Sequence, residues 1–264
     1  MAARKNRNRH RRRRGRFGFL YKLLSFLIIF AAILVGCVAF FRVNQVEVMG
    51  NSRYSAQQII DASGVELGDN LFLVNRPQTA LNITRELPYV EKVAPVHRPP
   101  DTVELHITET FAAAAIQIED SWWLINASGK LLEQGGESLV GDLPVVQGLH
   151  PVDPILGGRL TVELEEQIKL EGLQQLLTAL AQREMLGQIT EFVDLTAANA
   201  IYFGCGGDLT VVVPMSGNFE LRVFSLQRVL ESFSQRGEDI SGTLDLTYGD
   251  DQARLLTERW LPAS

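Results

Sequence analysis

Residues 41–110 read FRVNQVEVMGNSRYSAQQIIDASGVELGDNLFLVNRPQTALNITRELPYVEKVAPVHRPPDTVELHITET. Val43, Val46 and Val48 lie in a short β-prone stretch that ends at a Gly50-Asn51 turn. Ser55-Ala56-Gln57-Gln58 has the spacing of a capping box, with Ile59, Ile60 and Ala62 as apolar content and Gly64 as a stop. Gly68-Asp69-Asn70 is a turn before the apolar Leu71-Phe72-Leu73-Val74. Pro77 suits the first turn of a second helix, in which Leu81 and Leu87 are expected to face inward before Pro88 ends it. Val90, Val93 and Val96 mark a strand, and Pro99-Pro100-Asp101 a turn. Val103, Leu105 and Ile107 then alternate with Thr102, Glu104, His106 and Thr108, as in a half-buried strand. The order is β-α-α-β-β, two helices over one face of a three-stranded sheet.

Upstream, Leu23 to Phe41 read LLSFLIIFAAILVGCVAFF, 19 residues without a charge. As a helix they span about 28 Å, close to the thickness of a hydrocarbon core. Lys22 and Arg42 bracket the run, and Phe17, Phe19, Tyr21, Phe40 and Phe41 sit at interfacial positions. Ten of the 25 Lys/Arg fall within residues 1–41, which hold no Asp or Glu; the remainder carries 15 against 31 acidic residues, a net of −16. This asymmetry implies a cytoplasmic basic tail (1–22), one transmembrane helix (23–41) and an exported acidic bulk. A cleaved signal peptide is the rival, but the run exceeds an ordinary h-region and no A-x-A site follows. Leu34-Val35-Gly36-Cys37 has the look of a lipidation site, against which the apolar run continues to Phe41. The Arg11–Arg14 run fits a juxtamembrane tail touching anionic lipid, not a nucleic-acid surface.

Downstream, Ile116, Ile118 and Trp122 to Ile125 form strands around Asp120-Ser121. Asn126 to Lys130 is a turn, Leu131-Leu132 begins the next strand, and Pro144 and Pro151 to Pro154 punctuate a loop stretch. Leu164, Ile168, Leu173, Leu176, Leu177 and Leu180 have helical spacing. Ile189 to Leu195 is a strand, and Ala200–Phe203 and Leu209–Val213 flank a glycine-rich hairpin turn. A helix carrying Leu221, Phe224, Leu226, Val229, Leu230 and Phe233 stops at Gly237. The chain closes on the strand Thr243 to Tyr248, a Gly249-Asp250-Asp251 turn, and Gln252 to Leu256. The class is α+β, a β-rich second domain (111–256) following the first (42–110), with residues 257–264 as a tail.

No catalytic motif stands out. His97, His106 and His150 lack H-E-x-x-H or C-x-x-C company, there is no G-x-S-x-G, and no lysine is preceded at three residues by serine. Gly204-Cys205-Gly206-Gly207 lacks the G-K-[ST] of a phosphate loop. Cys205 reads as a buried small residue, and of Trp122 and Trp123, which face opposite sides of a strand, one is expected in the core. No enzyme activity, cofactor or metal is expected.

The whole order resembles the FtsQ/DivIB family of bacterial cell-division proteins. The likeness is carried by Phe41-Arg42-Val43, Val46 to Asn51, Ser55, Gly64, Gly68, Asn70-Leu71-Phe72, Val96, Arg98, Pro100 and Val103. Leu87-Pro88-Tyr89-Val90 is similar to the family's LPWV segment with Tyr89 for Trp, and Leu244-Asp245-Leu246-Thr247-Tyr248 to its DLRY-like strand with Thr247 for Arg. The resemblance implies a POTRA domain and a β domain, and a non-enzymatic divisome scaffold. It implies FtsB/DivIC-like and FtsL-like bitopic proteins as partners, and other divisome proteins reached through the POTRA domain. The partner's segment would add beside the terminal edge strand, at positions matching Tyr248, Asp250, Gln252, Ala253, Arg254 and Leu255. A membrane-tethered cell-wall hydrolase and a lipidated extracytoplasmic binding protein are the alternatives.

Overall fold

The computed structural model describes residues 17–249 and 253–262. The basic run before Phe17 lies outside them. Helix α1 (Phe17–Phe40) begins earlier than the expected span, so Lys22 falls inside it. It is apolar around its whole circumference, with Phe26, Ile29 and Ile33 all more than half exposed. Among the described residues it is the one helix long and apolar enough to cross a membrane. Its 24 residues reach about 36 Å.

The first folded unit comprises β1 (Gln45–Met49), α2 (Ala56–Ser63), α3 (Arg76–Glu86), β2 (Val90–Arg98) and β3 (Thr102–Glu109). Its sheet has the order β1-β3-β2, with β3 parallel to β1 and antiparallel to β2. A parallel pair needs a crossover, which the two helices supply. The capping box forms as read: Ser55 accepts from the Gln58 N–H, Gln58 returns to the Ser55 N–H, and Gly64 closes the helix in the left-handed region. Asn75 caps α3 ahead of Pro77. The core is Val43, Ile59, Leu71, Ile83, Leu87, Val90, Val103, Leu105 and Ile107. Leu81 corrects the expectation: it points out of α3, 47% exposed, and Thr79 and Ile83 take the inner face. One turn of 3.6 residues separates Ile83 from Thr79, which leaves Leu81 on the far side.

The second unit is a sheet of nine strands: β4 (Ala114–Ile118), β5 (Ser121–Ile125), β6 (Leu131–Gly135), β7 (Val145–Gln147), β8 (Ile189–Asp194), β9 (Ala200–Cys205), β10 (Leu209–Pro214), β11 (Gly242–Asp245) and β12 (Arg254–Leu256). Their order is β12-β11-β10-β9-β8-β7-β4-β5-β6. Helices α4 (Gln167–Gln182) and α5 (Phe219–Arg236) cover one face. Leu173, Leu176, Leu177 and Leu180 of α4 and Val223 and Leu226 of α5 meet Ile116, Trp123, Ile125, Phe203, Val211 and Leu244 there. Ile168, Leu173, Leu176, Leu177 and Leu180 fall in α4 as their spacing predicts, whereas Leu164 is a correction, lying in a 3-10 turn just before it; both Leu164 and Ile168 face solvent, 83% and 62% exposed. Three residues after Pro144, read as loop, are β7, which joins the two halves of the sheet through parallel pairing to β4 and β8.

The sheet's other face is covered by two things. The first is the POTRA-like unit itself. Tyr89, Ala115, Leu124 and Leu132 form a small cluster joined by Tyr54 and Trp122. Trp123 points the other way into the main core, 5% exposed. Around this cluster the joint is polar and specific. Lys130, in the turn before β6, sends its Nζ to the carbonyls of Thr84 (3.0 Å) and Val90 (2.7 Å), and burial pulls its ammonium below the ordinary lysine value. Asn126 Nδ2 donates to Glu91 (2.7 Å) and Thr110 (3.1 Å), and Ser128 Oγ donates to Glu91 (3.1 Å). Tyr89 Oη donates to Glu133 (2.8 Å) under the Arg53 guanidinium, and burial with that acceptor raises the phenol to about 12. The segment Leu87-Pro88-Tyr89-Val90 therefore forms the seam between the units.

The second cover is the chain end. Residues 257–262, read as a tail, fold back over β8 to β11. Trp260 stacks on Tyr202 at 4.1 Å and tilts against Phe192 at 5.9 Å. Its carbonyl accepts from Thr210 Oγ1 (2.7 Å), its N–H donates to Thr243 Oγ1 (2.8 Å), and Arg259 pairs with Glu191 at 2.6 Å.

Candidate partner-binding edge

The titratable groups outside the joint are held in local, structural arrangements. His97 and His106 sit on neighbouring strands but on opposite faces, because His97 lies opposite core Val103 and His106 opposite Ala94. Arg98 holds the Glu104 carboxyl below its usual range, with help from His106 at 3.1 Å. Burial raises the Glu109 carboxyl, but hydrogen bonds from Ser52 and from the Arg53 and Tyr54 N–H groups outweigh it and leave it low. Glu166 accepts from the His150 N–H and faces its Nδ1, each at 2.8 Å. Cys205 is buried, and burial pushes its thiol up to about 11. Among the described residues no group of three or more His, Cys, Asp or Glu has the geometry of a metal site.

The sheet edge has a different character. Strand β12 is terminal, antiparallel to β11, with Leu244 opposite Leu255 and Asp245 opposite Arg254. Among the described residues its other side pairs with nothing, so its outward backbone N–H and C=O groups are open. Of the expected contact residues, Arg254 and Leu255 lie in this strand and Ala253 just before it, all three exposed. Tyr248 stands where the chain leaves β11, its side chain 65% exposed. Asp250 and Gln252, with Asp251, lie outside the described residues.

Four devices hold the edge. Gly242 begins β11 with φ +107°, and a Cβ there would stand 2.1 Å from the Leu256 carbonyl oxygen, so only glycine lets the two strands meet. Asp245 Oδ1 accepts from the Thr247 N–H (2.8 Å) and Oγ1 (2.7 Å), turning the chain out of the strand. Thr247 is thus committed to a local turn. Arg222, buried on α5, donates to the carbonyls of Leu246 and Gly249 and fixes the exit on which Tyr248 rides. Thr243 Oγ1 donates to the Glu258 carbonyl (2.7 Å), tying the returning chain beside β12. Arg222 and Trp260 were not singled out from the sequence. The signal for Trp260 was present: a lone aromatic in a polar stretch, matched by Thr210 and Thr243 on the face it covers.

An apolar anchor helix, a β-α-α-β-β module and a larger strand-rich unit with an open edge define a membrane-anchored POTRA-type protein. Residues 41–110 match the family described as POTRA domain, FtsQ-type. The chain is 26% identical over 148 residues to the cell division protein DivIB of Clostridium botulinum, covering 56% of this chain and 57% of that protein. It is 32% identical over 127 residues to the cell division protein FtsQ of Corynebacterium glutamicum, covering 47% and 54%. The DivIB of Geobacillus kaustophilus is 28% identical over 153 residues, covering 56% of each. The chain thus spans a little over half the length of the curated relatives it matches. Residues 41–110 are thus an FtsQ-type POTRA domain, and over about half its length the chain is similar to FtsQ and DivIB cell-division proteins.

Proposed function

We propose that this protein is a non-enzymatic scaffold of the divisome that binds and positions FtsB/DivIC-like and FtsL-like bitopic proteins for septal cell-wall synthesis. The observation that carries the reading is the open β12 edge on a sheet whose chain also holds an FtsQ-type POTRA module. An extended segment of a partner laid along β12 would gain main-chain hydrogen bonds there, and exposed Tyr248, Arg254 and Leu255 would supply the side-chain contacts. Asp250, Gln252 and Ala253 complete the proposed contact set. The POTRA module recruits further division proteins. In this reading residues 1–22 are cytoplasmic and touch membrane lipid, 23–41 span the bilayer, and 42–110, 111–256 and the closing 257–264 are extracytoplasmic, at the septum. The Lys/Arg excess before α1 supports that orientation.

The test is co-purification of the full chain, in detergent, with the FtsB/DivIC-like and FtsL-like proteins of the same cell. Tyr248→Ala and a truncation after Gly249 run beside the wild type, each checked by circular dichroism. Capture by the wild type and its loss in both variants supports the reading. Undiminished capture by the variants moves the site to another surface, and no capture by the wild type sinks the scaffold.

A further inference from the structure

The loop between α2 and α3 carries an apolar patch that the fold leaves uncovered. Leu67 is 72% exposed, Phe72 58% and Leu73 79%. Isolated exposed apolar residues need no explanation, but three in seven positions of one short loop do. The loop's position is fixed by its backbone. The Leu71 N–H donates to the Phe41 carbonyl (2.9 Å), the Val43 N–H to the Asp69 carbonyl (2.8 Å), and the Gly68 N–H to the Val43 carbonyl (2.8 Å). Phe41 is the residue directly after α1. The loop is therefore stitched to the first residues past α1. A chain of rings marks the same path. Phe40 meets Phe41 at 5.1 Å, and Phe41 meets Phe72 at 5.0 Å.

From this continuity with α1 we propose that the Leu67–Leu73 loop docks on the lipid bilayer, with Leu67, Phe72 and Leu73 seated at the boundary between headgroups and acyl chains. This proposal rests on α1 spanning the membrane and is independent of which proteins bind the β12 edge. Phe and Leu on the apolar face of an interfacial segment enter that boundary by about 5–10 Å. The local charges indicate the kind of lipid surface. Glu66 and Asp69 lie in the loop, and Arg42 and Arg76 flank it. The signs balance, so docking follows apolar area and needs no anionic lipid. The consequence is a fixed height and tilt of the POTRA module above the membrane, set by two attachments instead of one flexible joint.

The experiment uses the full chain in nanodiscs of zwitterionic phosphatidylcholine. Cys37→Ala removes the thiol in α1, and Cys205, buried, stays unlabelled. An environment-sensitive fluorophore is placed on Leu73→Cys, on Leu67→Cys as a second site, on Phe30→Cys within α1, and on Val96→Cys on the sheet of the same module. Quenching is read with nitroxide lipids labelled near the headgroup or near the chain end. Docking gives quenching at 73 and 67 that is stronger with the headgroup-proximal nitroxide. Position 30 is quenched more by the chain-end probe, and position 96 by neither. Adding Phe72→Glu to Leu67→Cys abolishes the quenching at 67. Quenching at 30 without quenching at 73 and 67 overturns the docking and leaves the anchor standing. A blue-shifted fluorophore at 73 that no lipid nitroxide quenches also overturns it and assigns the loop to a protein surface. Absence of quenching at 30 removes the anchor on which the proposal rests.

Discussion

Replacing Lys130 by methionine tests whether the two folded units behave as one. The methionine keeps most of the apolar stem and removes only the ammonium. In the native chain that ammonium is buried and donates to the Thr84 carbonyl at 3.0 Å and the Val90 carbonyl at 2.7 Å. Hydrogen bonds from a charged donor contribute ~1.5–3 kcal/mol each, and an acceptor left unpaired in a buried site costs ~1–3 kcal/mol. Relief of the ammonium's own desolvation, a few kcal/mol, offsets part of this. The net expected loss is about 2–4 kcal/mol, concentrated at the seam and not in either core. In scanning calorimetry of the full chain in detergent, the wild type should melt in one transition and Lys130→Met in two. The first of these should lie about 5–15 °C lower, at ~2–4 °C per kcal/mol. The pH dependence follows from the same site. Burial penalises the charged form, so the folded chain releases this proton at a lower pH than the unfolded chain, whose value is near 10.5. Between those two points the unfolded state holds more protons, and stability from this site rises with pH. Lys130→Met should flatten that rise. A single transition unmoved by the substitution would refute the latch.

Other outcomes follow from local geometry. Gly242→Ala drives a Cβ into the Leu256 carbonyl and should detach β12 and the returning Trp260 while the main core stays folded; the readout is a red shift of tryptophan emission with retained far-UV circular dichroism. Ser55→Ala removes one arm of the capping box and should cost ~1 kcal/mol in urea denaturation. The Cys205 thiol, raised to about 11 by burial, should resist iodoacetamide at pH 8 in the native protein and react once denaturant unfolds the second unit.

What the sequence disclosed and what it withheld divide along physical lines. Short-range signals were readable. The Ser55 box, the Gly64 and Gly237 stops, the Pro77 start and the alternation of Val103, Leu105 and Ile107 each decide a conformation within a few residues of themselves. Strand β7 escaped because a three-residue strand buried between two parallel partners has no room to show a period. Leu81 misled because apolar character was taken for burial, whereas much of any folded surface is apolar. The seam was beyond a sequence reading altogether. Lys130 lies 46 residues from Thr84, and nothing local distinguishes it from an ordinary turn lysine. The same holds for Arg222, whose carbonyl partners are 24 and 27 residues away. At the edge itself the strand from Thr243 was legible as far as Asp245, where it ends earlier than expected, but the hook that secures it depends on Trp260 finding Tyr202.

The central claim is that β12 is where partners add. The most direct measurement places a photo-crosslinking amino acid at Leu255 of the full-length protein in dividing cells, with Glu119, on the hairpin between β4 and β5, as the control position. The account expects an irradiation-dependent adduct from position 255 that contains the FtsB/DivIC-like protein, and none from position 119. An adduct with that protein from 119 and not from 255, in cells that divide normally, would contradict it.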